Sequence, residues 1–356
     1  MEPIRIAVAL PHLGVYGGIR RFLELGGVWA RRGHEVSLLL PDGAPAREPW
    51  LPFPGHVGSL GELRARSPDV FLSPDPALFT SQEAPGALRV FYSVLEGAPG
   101  EREAARRADL LLANSTGLAR YWRRRGLPAV PAPGGVNPAT FRPPAPDPRP
   151  ERVGRGGAVR ALVYGRLSRK RKGSWTAVRA IEAAAGAARV PVELTLFDAR
   201  PVPSEEPAAG LPRPIRIPHR WIHEPTQEEL AALYGDADLF VSAERRAGWC
   251  NTAAEAMACG AAVVCTRSGT EDFARHGDTA LVSAGPWAWL LARAIAGLLR
   301  DPAGRLALAG RGRRRILEFT WERTAERIES AIAARLSRGG AREGGSREAG
   351  LAPAAR

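Results

Sequence analysis

The sequence predicts an α/β protein of two doubly wound, parallel-sheet domains, and three observations carry that expectation. Short apolar runs alternate with helix-period segments, the pattern of βα units stacked on a parallel sheet. The series occurs twice, on either side of the proline-dense stretch Pro128–Pro150, which suits a linker or an irregular interdomain crossing. The length, 356 residues, is also too great for one ordinary core.

The first series opens with Ile4 to Leu10 as a buried strand, followed by a loop containing Gly14, Gly17 and Gly18. Ile19, Phe22, Leu23, Gly26, Trp29 and Ala30 then fall on one helical face, and Gly33 stops the helix. Glu35 to Leu40 completes a βαβ unit, and further strands are expected at Val70–Leu72, Val90–Val94 and Leu110–Ala113. The second series predicts strands at 160–164, 192–197, 239–242 and 262–265, with helices at 174–187, 227–234 and 252–258. Helices are also expected at 287–299, 305–317 and 321–336. From Ser337 the apolar periodicity disappears, so residues 337–356 read as a disordered tail.

Composition narrows the function. The chain has no run of 18 apolar residues, and its first residues enter a strand without signal-peptide regions, so the expected location is the cytoplasm. Cys250, Cys259 and Cys265 lack the spacing and histidine neighbours of a zinc site and read as small buried side chains. The net charge of +13 is almost all arginine in a chain also rich in alanine, glycine and proline. It is therefore weak evidence for nucleic acid, a membrane or an anionic substrate.

One exception to the arginine bias stands out. The only two lysines, Lys170 and Lys172, sit in Gly165-Arg166-Leu167-Ser168-Arg169-Lys170-Arg171-Lys172-Gly173, directly after a strand. Cations at a strand's carboxyl end are placed to meet a phosphate, because open α/β sheets bind ligands there. A solvated basic loop is the alternative. Gly17-Gly18 opens an amphipathic helix whose free N–H groups form an anion seat, unless it is a plain turn. The glycine spacing is not that of a dinucleotide fingerprint, which disfavours a nicotinamide or flavin enzyme.

Thr252 and Glu255 fit a capping box closed by Gly260, which would explain Glu255 by stability alone. The other reading has the same helix aim into a cleft, with Glu255 accepting hydrogen bonds from vicinal ribose hydroxyls. His12 follows the first strand and can face the cleft, whereas His34 lies in a helix-to-strand turn and reads as structural. Tyr121-Trp122-Arg123-Arg124-Arg125 combines rings and cations as membrane interfaces do; a solvated helix end is the alternative.

In order and spacing these segments resemble family 4 glycosyltransferases of the GT-B fold over nearly all of residues 4 to 335. The resemblance rests on Tyr16-Gly17-Gly18-Ile19-Arg20-Arg21, Gly134-Gly135-Val136-Asn137, Gly165-Arg166-Leu167 with Lys172-Gly173, Glu255-Ala256-Met257-Ala258-Cys259-Gly260, and Phe319-Thr320-Trp321-Glu322. It implies two Rossmann-like domains facing a central cleft: an acceptor-side domain with linker over 1–150, a nucleotide-sugar-binding domain over 151–319, and a helix over 320–336 crossing back to the first. It further implies a retaining, hexosyltransferase-like enzyme of glycan or glycoconjugate synthesis, using a nucleoside-diphosphate sugar as substrate with neither metal nor cofactor. Acceptors would be glycans, lipid-linked or small molecules, with peripheral contact at the inner membrane face and no nucleic acid.

By the same resemblance, Arg166 and Lys172 contact the donor pyrophosphate, Gly17 and Gly18 permit the acceptor domain to approach it, and Glu255 holds the ribose. These three charged residues are the catalytic candidates, and Gly248, Asn251 and Thr252 complete the nucleotide-sugar set. His12, Tyr92, Glu96, Glu244 and Asp272 are candidate sugar or acceptor contacts. The sequence departs from the family at Ala247, where a glutamate touching the donor sugar is expected, and around Tyr92-Ser93, where a histidine is often found. Ala247 keeps open a degenerate nucleotide-sugar-binding protein, and the fold also admits a sugar-nucleotide epimerase. A phosphorylase is disfavoured because no lysine follows Lys172.

Overall fold

The computed structural model describes residues 2–15, 17–44, 48–95, 97–155, 157–198 and 211–348. Tyr16, Glu96 and the last residues of the tail, 349–356, lie outside them.

The first domain comprises β1 (Arg5–Ala9), α1 (Gly17–Arg31), β2 (Glu35–Leu40), β3 (His56–Ser59), α2 (Leu63–Arg66), β4 (Val70–Ser73), α3 (Pro76–Ser81), β5 (Leu88–Ser93), α4 (Glu101–Arg107), β6 (Leu110–Ala113), α5 (Thr116–Arg123) and β7 (Ala129–Pro131). Its strands are parallel in the order β3-β2-β1-β4-β5-β6-β7. Then α6 (Arg149–Arg155) leads to β8 (Val159–Tyr164), α7 (Ser174–Ala188), β9 (Val192–Asp198), β10 (His219–His223), α8 (Gln227–Asp236), β11 (Leu239–Ser242), α9 (Asn251–Ala258), β12 (Ala262–Thr266), β13 (Leu281–Ser283), α10 (Ala288–Arg300) and α11 (Pro302–Ile316). This second sheet is also parallel, in the order β10-β9-β8-β11-β12-β13. Strand order reverses at β1/β4 and at β8/β11, so each sheet opens a crevice at the carboxyl ends of its central strands.

Each sheet is buried on both faces. Leu38, Val70 and Tyr92 belong to one core of the first domain while Leu39, Phe71 and Phe91 belong to the other. That two-sided burial explains why the strands read as continuous apolar runs. The three cysteines are buried and free.

The last helix, α12 (Trp321–Glu348), runs past the expected boundary at 336, so residues 337–348 are helical instead of disordered. Trp321, Ala325, Ile328 and Ile332 recur at helical spacing and join the first domain's core, although the chain has just left the second. The proline-dense stretch is an interdomain crossing: Val136 bridges Thr320, and the Val136 N–H donates to the Phe319 carbonyl at 2.9 Å. No helix among the described residues is long and apolar enough to cross a membrane.

Candidate active site

The two domains meet along the carboxyl ends of their strands and enclose a cleft of about 350 Å³. Gly17 forms its first-domain lip. The Asn251 side-chain amide donates to the Gly17 carbonyl at 3.1 Å, and a Cβ on Gly17 would sit 2.5 Å from that nitrogen. A side chain here would displace the Asn251 amide and break this contact between the domains, whereas Gly18 faces open space.

On the opposite wall β8 ends at Tyr164 and delivers Arg166, which is 3 % exposed and 3.5 Å from Asp198. The chain then makes a tight turn over Lys170–Lys172 and enters α7 through Gly173, whose φ of +66° lies in the left-handed region. A Cβ at Gly173 would fall 2.0 Å from the Ala243 carbonyl oxygen, so this turn needs glycine both for its backbone and for its packing. The turn holds Lys172 with its Nζ 2.6 Å from Glu244 Oε1 and 5.7 Å from the Tyr164 ring centre.

Glu244 is buried beside these cations. It is 2 % exposed, receives Lys172 and Arg171, the latter at 3.4 Å, and its backbone carbonyl accepts from the Thr266 hydroxyl. The cleft lining carries Arg20, Arg21, Arg166, Arg169, Arg171 and Lys172 against two carboxylates, Glu244 and Glu255. Such a surplus attracts an anionic ligand into a partly dehydrated space.

The structure removes the capping reading of Glu255. The cap residue of α9 is Cys250, and Thr252 lies inside the helix, so the expected capping box is absent. Thr226 and Glu229 form a true capping box at α8. Glu255, released from that role, accepts from the Tyr234 hydroxyl at 3.2 Å and lies 3.5 Å from Arg20 Nε. Burial pushes its carboxyl above the ordinary range, and Arg20 pulls it back. Gly248, Asn251 and Thr252 line the same cleft.

Three candidate contacts stand elsewhere. Tyr92 is fully buried: its hydroxyl donates to the Ala132 carbonyl and accepts from Arg21, because it belongs to a central strand with both faces covered. Asp272 lies at the domain seam, where its carboxylate accepts the Thr116 N–H at 3.1 and 3.3 Å and caps α5 across the interface. His12 is exposed, accepts the Gly14 N–H at 3.0 Å, and does not line the cleft. The fourth, Glu96, lies outside the described residues. The membrane reading of Tyr121–Arg125 also changes: Trp122 is 1 % exposed with its Nε1 donating to Ser93, and Arg125 stacks 3.6 Å from the Tyr121 ring centre. His34 is structural, accepting the Ile4 N–H at 3.2 Å.

Arg20 was not singled out from sequence, yet it reaches Glu255, Glu24 and Gln227 and lies over the Trp50 ring at 5.1 Å. Its signal was present: an arginine among Ile19, Phe22 and Leu23 on the apolar face of α1, with Glu24 four residues on.

Comparison with known proteins agrees with this fold. Residues 158–301 match the family model for glycosyl transferases group 1. Among solved structures, sucrose-phosphate synthase from Thermosynechococcus elongatus aligns with a TM-score of 0.72 at 20 % identity, covering 94 % of this chain and 100 % of that one. Anabaena HepE in complex with UDP-glucose aligns at 0.69 and 16 %, covering 93 % and 100 %. A glycosyltransferase from Rickettsia africae aligns at 0.69 and 14 %, covering 94 % and 99 %. No curated protein matches the chain significantly. The fold is GT-B, two Rossmann-like domains around a cleft, and the segment that matches the glycosyl transferases group 1 model lies within the second domain.

Proposed function

We propose that the protein is a retaining glycosyltransferase of family 4 type that moves a hexose from a nucleoside-diphosphate donor to an acceptor hydroxyl in glycan or glycoconjugate synthesis. The observation that carries this is the convergence of Arg166, Lys172 and the buried carboxylate Glu255 on one interdomain cleft, opposite the open backbone of Gly17 and Gly18. HepE, a structural neighbour, holds UDP-glucose. Arg166 and Lys172 receive the diphosphate, Glu255 accepts from the ribose hydroxyls, and Asn251 and Thr252 shape the nucleotide end.

In the reaction a bond forms between the acceptor oxygen and the anomeric carbon while the bond from that carbon to the diphosphate oxygen breaks. The electron pair leaves on the diphosphate, and the hydroxyl proton departs with it. The cations are fixed before reaction, Lys172 by Glu244 and Arg166 by its buried seat, so little reorganisation is needed as negative charge grows. Neither metal nor cofactor takes part, and the protein works in the cytoplasm, contacting the membrane where the acceptor is lipid-linked.

Ala247 supports a second reading, a nucleotide-sugar-binding protein without turnover. An assay for nucleoside diphosphate released from a donor panel, with and without added acceptors, separates the two. Acceptor-dependent release with a glycosylated product is expected; binding without release establishes the second reading.

A further inference from the structure

A second groove of about 360 Å³ adjoins the donor cleft and shares Ala247 and Gly248 with it. Both domains build it. Arg120, Arg124 and Arg125 come from α5 and the turn after it, and Arg245, Arg246 and Arg267 come from the loops after β11 and β12. Among the described residues Glu271 is the one carboxylate on the lining, 3.6 Å from Arg120. The whole chain carries 50 lysines and arginines to 37 acidic residues, so composition alone does not explain six arginines to one acid among the described residues of one groove.

The groove is held in register with the donor cations. Arg171, on the Lys170–Lys172 turn, donates to the Arg246 carbonyl at 2.9 Å, and its own carbonyl accepts the Arg245 N–H at 2.8 Å. All six side chains are exposed, so water and salt screen their mutual repulsion, and an anion seated among them gains charge-assisted hydrogen bonds from several guanidinium groups at once. Guanidinium forks match phosphate oxygens in pairs. At the junction stands Ala247, small and uncharged, where a carboxylate would repel an incoming anion.

We infer that this groove binds a phosphate or diphosphate group on the acceptor and so presents the receiving hydroxyl at Ala247–Gly248. The assignment to the acceptor rests on the transferase reading above, whereas the anion site stands on its own geometry.

The test is calorimetric titration of the full chain with inorganic pyrophosphate, comparing wild type with Arg124→Ala/Arg245→Ala/Arg267→Ala and with Lys172→Ala. All three groove residues are exposed, so an unchanged melting temperature is expected. Wild type is expected to bind two equivalents. The triple variant weakens one of them by about tenfold or more, as lost charge-assisted hydrogen bonds require, and keeps nucleoside-diphosphate binding; Lys172→Ala weakens the other. A triple variant that titrates like wild type overturns the site. If no nucleoside diphosphate binds wild type but the triple variant still loses pyrophosphate, the donor reading fails and the groove stands. On the Lys172→Ala background, tighter binding of farnesyl diphosphate in detergent micelles than of pyrophosphate assigns a lipid-linked acceptor, and equal binding assigns a soluble phosphorylated one.

Discussion

Arg20 of the first domain and Glu255 of the second lie 3.5 Å apart across the cleft floor, with side chains 8 % and 6 % exposed. One buried carboxylate therefore serves as a candidate ribose contact and as an anchor between the domains. Removing its cation leaves a charge stranded in a low-dielectric site. Arg20→Ala is expected to lower stability by about 3–5 kcal/mol in urea unfolding, and adding Glu255→Gln to restore part of the loss. A single variant as stable as wild type would show that the pair does not hold the domains.

Stability should fall as the solution becomes less acidic, and Glu24 is the main reason. Burial pushes its carboxyl up to about 7 from an ordinary 4.5, with Glu255 and Glu322 adding to the rise and Arg20 opposing it. Between those values the folded state keeps a proton that the unfolded chain has already released, so raising the pH favours unfolding, and above about 7 the effect is complete. Asp272, pushed up to about 6 by burial at the seam, acts in the same direction. Melting temperatures across this range should decline for wild type and less steeply for Glu24→Gln, which gains on the order of 2–3 kcal/mol at neutral pH. Parallel slopes would exclude Glu24 as the cause.

Gly173 and Gly18 make opposed expectations. Gly173→Ala places a side chain at φ +66°, which costs about 1–3 kcal/mol, and drives it against the Ala243 carbonyl. The Lys170–Lys172 turn must move, so both melting temperature and donor binding should drop. Gly18→Ala meets nothing within 4 Å inside a helix and should leave the melting temperature unchanged or slightly higher. Equal losses in the two variants would contradict this packing.

The central strands were legible because both their faces are buried: β2, β6 and β11 have the bounds read from their apolar runs. Edge strands were not. His56–Ser59 and His219–His223 have no fully buried residue, and only Val57, Trp221 and Ile222 pack partly buried against the cores, so backbone pairing defines these strands more than any apolar run does. Two-sided burial also hid the direction of Tyr92, since no alternation marks which face of a central strand meets the core. The Thr252-x-x-Glu255 spacing has the same appearance whether the helix begins at Thr252 or just before it, and only the fold shows Cys250 as the cap. The cations at 166 and 172 were visible as a local break in composition, whereas the partnership of Lys172 with Glu244 spans 72 residues. Arginine abundance masked the groove, whose charge is concentrated only once α5 is folded against the loops after β11 and β12.

The proposal that the cleft binds a nucleoside diphosphate through Lys172 and Arg166 is tested most directly by calorimetry with UDP, GDP and ADP on wild type, Lys172→Ala and Arg166→Ala. One nucleotide should bind wild type at one equivalent, and each variant should weaken it by roughly tenfold or more, as the loss of a charge-assisted hydrogen bond requires. No binding by wild type, or unchanged affinity in both variants, would contradict the account.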